Sequence, residues 1–174
     1  AGAKNMQVSF SYNNGNDDWW WAVDNVGVVK PLGELQGSPQ ATVDVLSDVQ
    51  GDPQDYKDAV RQLNGMEDKA GALVLNGDLV DDGSQQQWDD FLAAHSEVPH
   101  DSGKELWTIG NHEMYGKEGS KTYLDRFLKY SGQDKPWKEE VVDGVPLISV
   151  NTEFYSDILR HGKEPFQRIS KEQL

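Results

Sequence analysis

Apolar residues recur along this chain with two different periods, and the switch between them marks out its elements. Residues 7–12, Gln-Val-Ser-Phe-Ser-Tyr, alternate polar and apolar, as a half-buried strand does. The turn-forming run Asn-Asn-Gly-Asn-Asp-Asp at 13–18 follows, and then the largely apolar run 19–29, so a β-hairpin is predicted. Pro31, Gly33, Gly37 and Pro39 punctuate residues 31–40, which read as a linker. From Ala41 the texture changes. Thr42 to Asp48 predicts a strand. Asp52 suits a helix N-cap and Pro53 the first helical position, and Ala59, Val60, Leu63 and Met66 recur at helical spacing, which predicts a helix over about 53–66. Gly71 to Asn76 is an almost continuous apolar strand, as parallel strands covered on both faces are. Ser84 and Gln87 have capping-box spacing, and Trp88, Phe91, Leu92 and His95 then share one helical face. A strand over 105–110 and a helix carrying Tyr123, Leu124, Phe127 and Tyr130 come next. Val141 to Val150 predicts a hairpin turning at Asp143-Gly144, and Ser170 to Leu174 the start of another helix. Strand, helix, strand, helix, strand is the order of an α/β fold with a parallel sheet.

Composition narrows the chemistry. The 174 residues carry a net charge of −14 and no cysteine. Disulfides and thiolate metal sites are excluded. A surface this acidic repels nucleic-acid polymers and anionic membranes and favours divalent cations. No run of eighteen apolar residues is present to span a membrane. Residues 1–6 lack the pattern of a signal peptide, so an exported protein would have lost its signal or would carry it upstream.

Three predicted strands end in polar residues: Ser47-Asp48-Val49-Gln50, Asn76-Gly77-Asp78-Leu79-Val80-Asp81 and Gly110-Asn111-His112-Glu113. In a parallel sheet such ends lie side by side, so Asp48, Asp78 and Asn111 converge although roughly thirty residues separate each from the next. Two carboxylates in one cleft repel unless a cation lies between them. Oxygen donors of this kind suit Mn, Mg, Fe or Zn, and one bridging carboxylate can hold two ions about 3.5–4 Å apart.

Those blocks resemble the calcineurin-like metallophosphoesterase family, whose pattern is Asp-x-His, Gly-Asp-x-x-Asp, Gly-Asn-His-Asp/Glu, a lone His, and Gly-His-x-His. The resemblance covers about residues 41–174 and implies the N-terminal half of a metallophosphoesterase β-sandwich with flanking helices. It implies a site holding two Mn, Fe or Zn ions, with Asp48 on the first, Asp78 bridging both and Asn111 on the second. His112 would contact the phosphate and act as general acid toward the leaving oxygen, while a metal-activated hydroxide attacks phosphorus in line. Asp81 and Glu113 would orient their neighbours from behind. The substrate class implied is a small phosphorylated molecule. Two departures stand out. Gln50 occupies the place of a histidine; its carbonyl oxygen can coordinate, but as a neutral donor it implies a looser first site or one that prefers harder ions. Nothing after His112 resembles Gly-His-x-His, and Gln173-Leu174 matches the pair that precedes it in the family, so the domain is read as ending before its remaining ligands.

A second resemblance lies upstream. Trp19-Trp20-Trp21-Ala22-Val23-Asp24-Asn25-Val26 is similar to the closing strand of MAM-like and concanavalin-like jelly rolls, which implies that residues 1–30 are the tail of a β-sandwich. By analogy of architecture this suggests a protein of a bacterial surface or exterior, with carbohydrate contact through the sandwich as an option. The rival reading is a binding module in which Gln50 has cost the first metal. Of the other histidines, His95 is expected at the edge of the core, and His100 and His161 in loops, His100 solvated; Asp89-Asp90 and Lys138-Glu139-Glu140 are expected on solvated faces.

Overall fold

The computed structural model describes residues 41–152 together with Glu172 and Gln173, all within one compact unit that starts at Ala41. The predicted N-terminal hairpin, the jelly-roll tail, the linker and His161 lie outside the described residues, as does most of the predicted helix start at 170–174, of which Glu172 and Gln173 stand in a turn.

Three parallel strands form the centre: β1 (Val43–Leu46), β2 (Ala72–Asn76) and β3 (Glu105–Thr108), side by side in that order. Val43 pairs with Ala72 and Leu46 with Leu75, while Leu73 pairs with Glu105 and Asn76 with Thr108. The register brings all three C-terminal ends to one edge, which is what the strand-helix-strand order predicts. Helix α1 (Pro53–Asn64) joins β1 to β2, and α2 (Gln85–Glu97) joins β2 to β3. Helix α3 (Ser120–Ser131) follows, then the antiparallel hairpin of β4 (Lys138–Val142) and β5 (Val145–Ser149). The mixed α/β architecture is the one expected from the sequence.

Local chemistry accounts for most boundaries. Asp52 caps α1, its carboxylate accepting the Gln54 N–H at 2.8 Å, and Pro53 opens the helix. The helix stops at Asn64, two residues before the predicted end. Gly65 turns its N–H back onto the Arg61 and Gln62 carbonyls, and Met66 is left exposed rather than on the helix face. Gly132, left-handed at φ 67°, closes α3. Asp143 and Gly144 both take positive φ, 50° and 82°, as a two-residue hairpin of the right twist requires. The capping box at α2 does not form. Ser84 does occupy the N-cap, but its side chain makes no cap bond; it engages Asp82 instead and holds that carboxyl below its usual range.

The core is aromatic. Trp88 of α2 is fully buried; its ring lies parallel to Trp107 of β3 at 6.5 Å and meets Phe91 and Phe127 edge-on. Tyr56 and Val60 of α1, Leu73 and Leu75 of β2, and Tyr123 of α3 complete it. His95 stacks on Phe91 at 5.7 Å at the core's edge, with Tyr56 Oη 2.7 Å from Nδ1 and Glu105 Oε2 3.3 Å from Nε2. His100 corrects an expectation: it is buried, not solvated. Its Nε2 lies 2.9 Å from Asp44 Oδ2 on β1, and its Nδ1 lies 2.8 Å from the Ser102 hydroxyl. Pro99, just past α2, turns the chain toward β1, and the imidazole finds a carboxylate there that no local pattern announces. Replacing one partner of a buried pair strands the other. His100→Ala is therefore expected to lower unfolding free energy by about 3 kcal/mol, and the additional change Asp44→Ala to recover part of that loss, as read by urea denaturation.

Candidate metal centre

The site forms where the three parallel strands end. Asp48 follows β1 and Asp78 follows β2, and both adopt left-handed backbone, φ 56° and 51°. Aspartate tolerates this region better than most residues. The two ends continue the sheet beyond its strands: the Asp48 N–H donates to Gly77 O and the Gln50 N–H to Asp78 O, each at 3.2 Å. Glycine is needed on the facing side. A β-carbon on Gly110 would collide with the Asp78 carboxylate and backbone nitrogen, and one on Gly77 would press on Gly110. The Gly-Asp and Gly-Asn-His-Glu blocks are thus two backbones passing in contact.

Glu113 holds those backbones together. The residue has no exposed surface, although its side chain is a carboxylic acid. Oε2 accepts the N–H groups of Gly110 at 2.6 Å and Asp78 at 3.0 Å, and Oε1 those of Leu79 at 2.6 Å and Val80 at 3.3 Å. Burial pushes its carboxyl up to about 7, while the Gly110, Leu79 and Asp78 amides pull the other way. A single side chain clasps the turn after β2 and the turn after β3.

Asp78 is the meeting point of the candidate residues. Its Oδ1 accepts the His112 N–H at 2.9 Å, and the Asn111 N–H also donates to its carboxylate. Burial raises its pKa, the His112 amide lowers it, and repulsion from Asp48 raises it. Asp48 is thus close enough for its charge to be felt at Asp78. His112 Nδ1 lies 2.8 Å from the carbonyl oxygen of Asp81. A carbonyl only accepts, so Nδ1 bears the proton there. It is the Asp81 backbone, not its exposed carboxylate, that holds the imidazole.

Asp48, Gln50, Asp78 and Asn111 therefore lie on one edge, with His112 and Glu113 behind them. All four offer oxygen. Among the described residues no three His, Asp or Glu side chains gather into a metal-holding group, so a cation here would need the amide oxygens as well. One feature bears on whether the set fits a cation. Gln50 Oε1 is buried and has no hydrogen-bond donor among the described residues. An unmatched buried acceptor costs about 1–3 kcal/mol, and a cation would satisfy it. Together with two mutually repelling carboxylates, that donor set fits a hard or borderline divalent ion.

Two residues at the site escaped the sequence reading. The Ser47 hydroxyl is bonded to the Asp48 carboxylate and lies 3.0 Å from Asn76 O. Tyr115 contacts both Asn111 and His112. Its place four residues after Asn111, one turn of helix on, was the available signal.

The clasp yields a test. Glu113→Gln turns one acceptor oxygen into a donor that faces backbone N–H groups. Thermal and urea denaturation should show a loss of about 2–4 kcal/mol, although the side chain's size is unchanged. A variant as stable as the parent would mean that those bonds contribute nothing.

Comparison with known proteins bears on the same residues. No protein of curated function matches the chain. The family model described as calcineurin-like phosphoesterase matches residues 41–173, which takes in every strand and helix described above and all three strand-end blocks. The chain belongs to the calcineurin-like phosphoesterases, a family of metal-dependent phosphoester hydrolases.

Proposed function

We propose that this domain hydrolyses a small phosphate ester at a dinuclear centre, with Asp48 and Gln50 on the first ion, Asp78 bridging and Asn111 on the second, and with His112 as general acid. The observation that carries the reading is the orphaned, buried Gln50 oxygen beside two carboxylates that repel each other. A cation relieves both costs at once. Bound ions would supply Lewis acidity toward the phosphoryl oxygens and a water acidic enough to ionise near neutral pH.

The chain's own residues do the rest. Because the Asp81 carbonyl takes the Nδ1 proton, Nε2 is the nitrogen that exchanges a proton with the ester oxygen. Donation from Nε2 uses the imidazolium, whose Nδ1–H stays bonded to the Asp81 carbonyl. As the bond from phosphorus to the ester oxygen breaks, the Nε2 proton passes to that oxygen, and the alcohol leaves neutral. The Asp78–His112 amide bond, 2.9 Å, ties the acid to the proposed bridging ligand, so that imidazole and phosphoryl site move as one. A cavity of about 130 Å³ lies between α1 and α2, beside Val49, Gly51 and Asp81. Second-layer support comes from Glu113, through the backbone it holds.

Loaded with Mn²⁺, Fe²⁺ or Zn²⁺, the full-length parent protein is expected to bind close to two equivalents by elemental analysis and to release nitrophenol from an aryl phosphate mono- or diester. His112→Ala should lower kcat about 10²-fold or more, with less effect on aryl leaving groups than on alkyl ones, which need the proton more. Metal-replete protein that cleaves neither ester would sink the hydrolytic reading. Gln50→His should tighten the first site for Zn²⁺ relative to Mn²⁺ in a competitive titration; unchanged affinities would remove Gln50 from the ligand set.

A further inference from the structure

Beyond the ligands and the acid, one aromatic side chain touches both. A short 3₁₀ turn, His112–Met114, follows Asn111 and ends at Tyr115. The Tyr115 N–H donates to His112 O at 3.0 Å, so the chain doubles back over its own start. Two contacts result. The Tyr115 hydroxyl accepts the Asn111 side-chain amide, Nδ2 to Oη, at 2.6 Å. Its ring lies against the His112 imidazole, centroids 4.8 Å apart and planes at 45°. Tyr115 is 38 % exposed, so burial alone does not explain where it sits.

Each contact answers a need of the proposed site. An asparagine amide has a donor end and an acceptor end, and only its oxygen can ligate a cation. Giving the nitrogen to Tyr115 directs Oδ1 to the opposite side and removes the competing rotamer. The imidazole of His112 is held at Nδ1 by Asp81 O and through its backbone by Asp78, but neither contact supports the face of the ring. Tyr115 supplies that support. We propose that Tyr115 is the positioning residue of this centre: its hydroxyl sets the ligating rotamer of Asn111, and its ring sets the plane of His112. The inference rests on the metal-centre reading above. It divides one side chain into two separable roles, because the hydroxyl serves the metal ligand and the ring serves the acid.

Two variants separate them. Tyr115→Phe keeps the ring and deletes the hydroxyl; Tyr115→Leu deletes both. Mn²⁺ alone is the probe, titrated into the protein and followed by electron paramagnetic resonance of the free ion. Tyr115→Phe is expected to weaken the weaker Mn²⁺ site about tenfold, and its deficit in turnover at limiting Mn²⁺ is expected to close at saturating Mn²⁺. Tyr115→Leu should show the same loss of affinity and in addition a kcat about tenfold lower that excess Mn²⁺ does not restore. Side-chain amide resonances of Asn111, recorded without metal, should shift in both variants. Wild-type Mn²⁺ affinity in Tyr115→Phe, with the Asn111 amide signals unmoved, would overturn the proposal while leaving the metal centre intact. Failure of the unsubstituted protein to bind Mn²⁺ would overturn the centre itself, and this inference with it.

Discussion

A carboxylate sealed in the protein interior holds the functional edge of this domain together. Strand ends are where a sheet's hydrogen bonding stops, and the amides just beyond them must find other acceptors or stay unpaired. Glu113 serves four such amides, from Asp78, Leu79, Val80 and Gly110. Those residues belong to two turns that are far apart in sequence and in contact in space. Burying the charge is unfavourable, as the upward push on its pKa shows, and the four donors offset that cost. An apolar residue of similar size would leave the amides unpaired; a solvated acid could not reach them.

The clasp holds the Asp78 turn directly, and the Asp48 N–H bonds to Gly77 O of that same turn. Asp48 and Asp78 are both left-handed, and each costs on the order of 1 kcal/mol. The benefit is directional. The Asp78 carboxylate is left lying against Gly110, where it accepts the His112 N–H. The aromatic core around Trp88 and Trp107, placed behind that edge, provides the rigid base from which the turns project.

Electrostatics at the edge are unbalanced in the protein as described. Asp48 and Asp78 repel, and the Gln50 oxygen faces no donor among the described residues. At the opposite end of the sheet, the Asp44 carboxylate and the His100 imidazole lie 2.9 Å apart, so each has a partner. The contrast between a satisfied pair at one end and an unsatisfied set at the other is what supports the proposed metal-binding role of this edge.

The sequence by itself determined the elements, their order and the edge on which their polar ends lie. Asp52-Pro53 opens a helix, Asp143-Gly144 turns a hairpin and apolar runs make buried strands wherever they occur, because these preferences act over a few residues. The convergence of Asp48, Asp78 and Asn111 also followed, since parallel strands joined by helices must end on the same edge. Only the tertiary structure decided which polar group answers which. It buried His100 against Asp44, gave Ser84 to Asp82 rather than to a helix end, and set the carbonyl of Asp81 rather than its carboxylate on His112. Tyr115 reached Asn111 and His112 by the same kind of choice. Periodicity records which face of an element meets the core; it does not record which distant donor arrives within about 3 Å of an acceptor, because that depends on how whole elements pack.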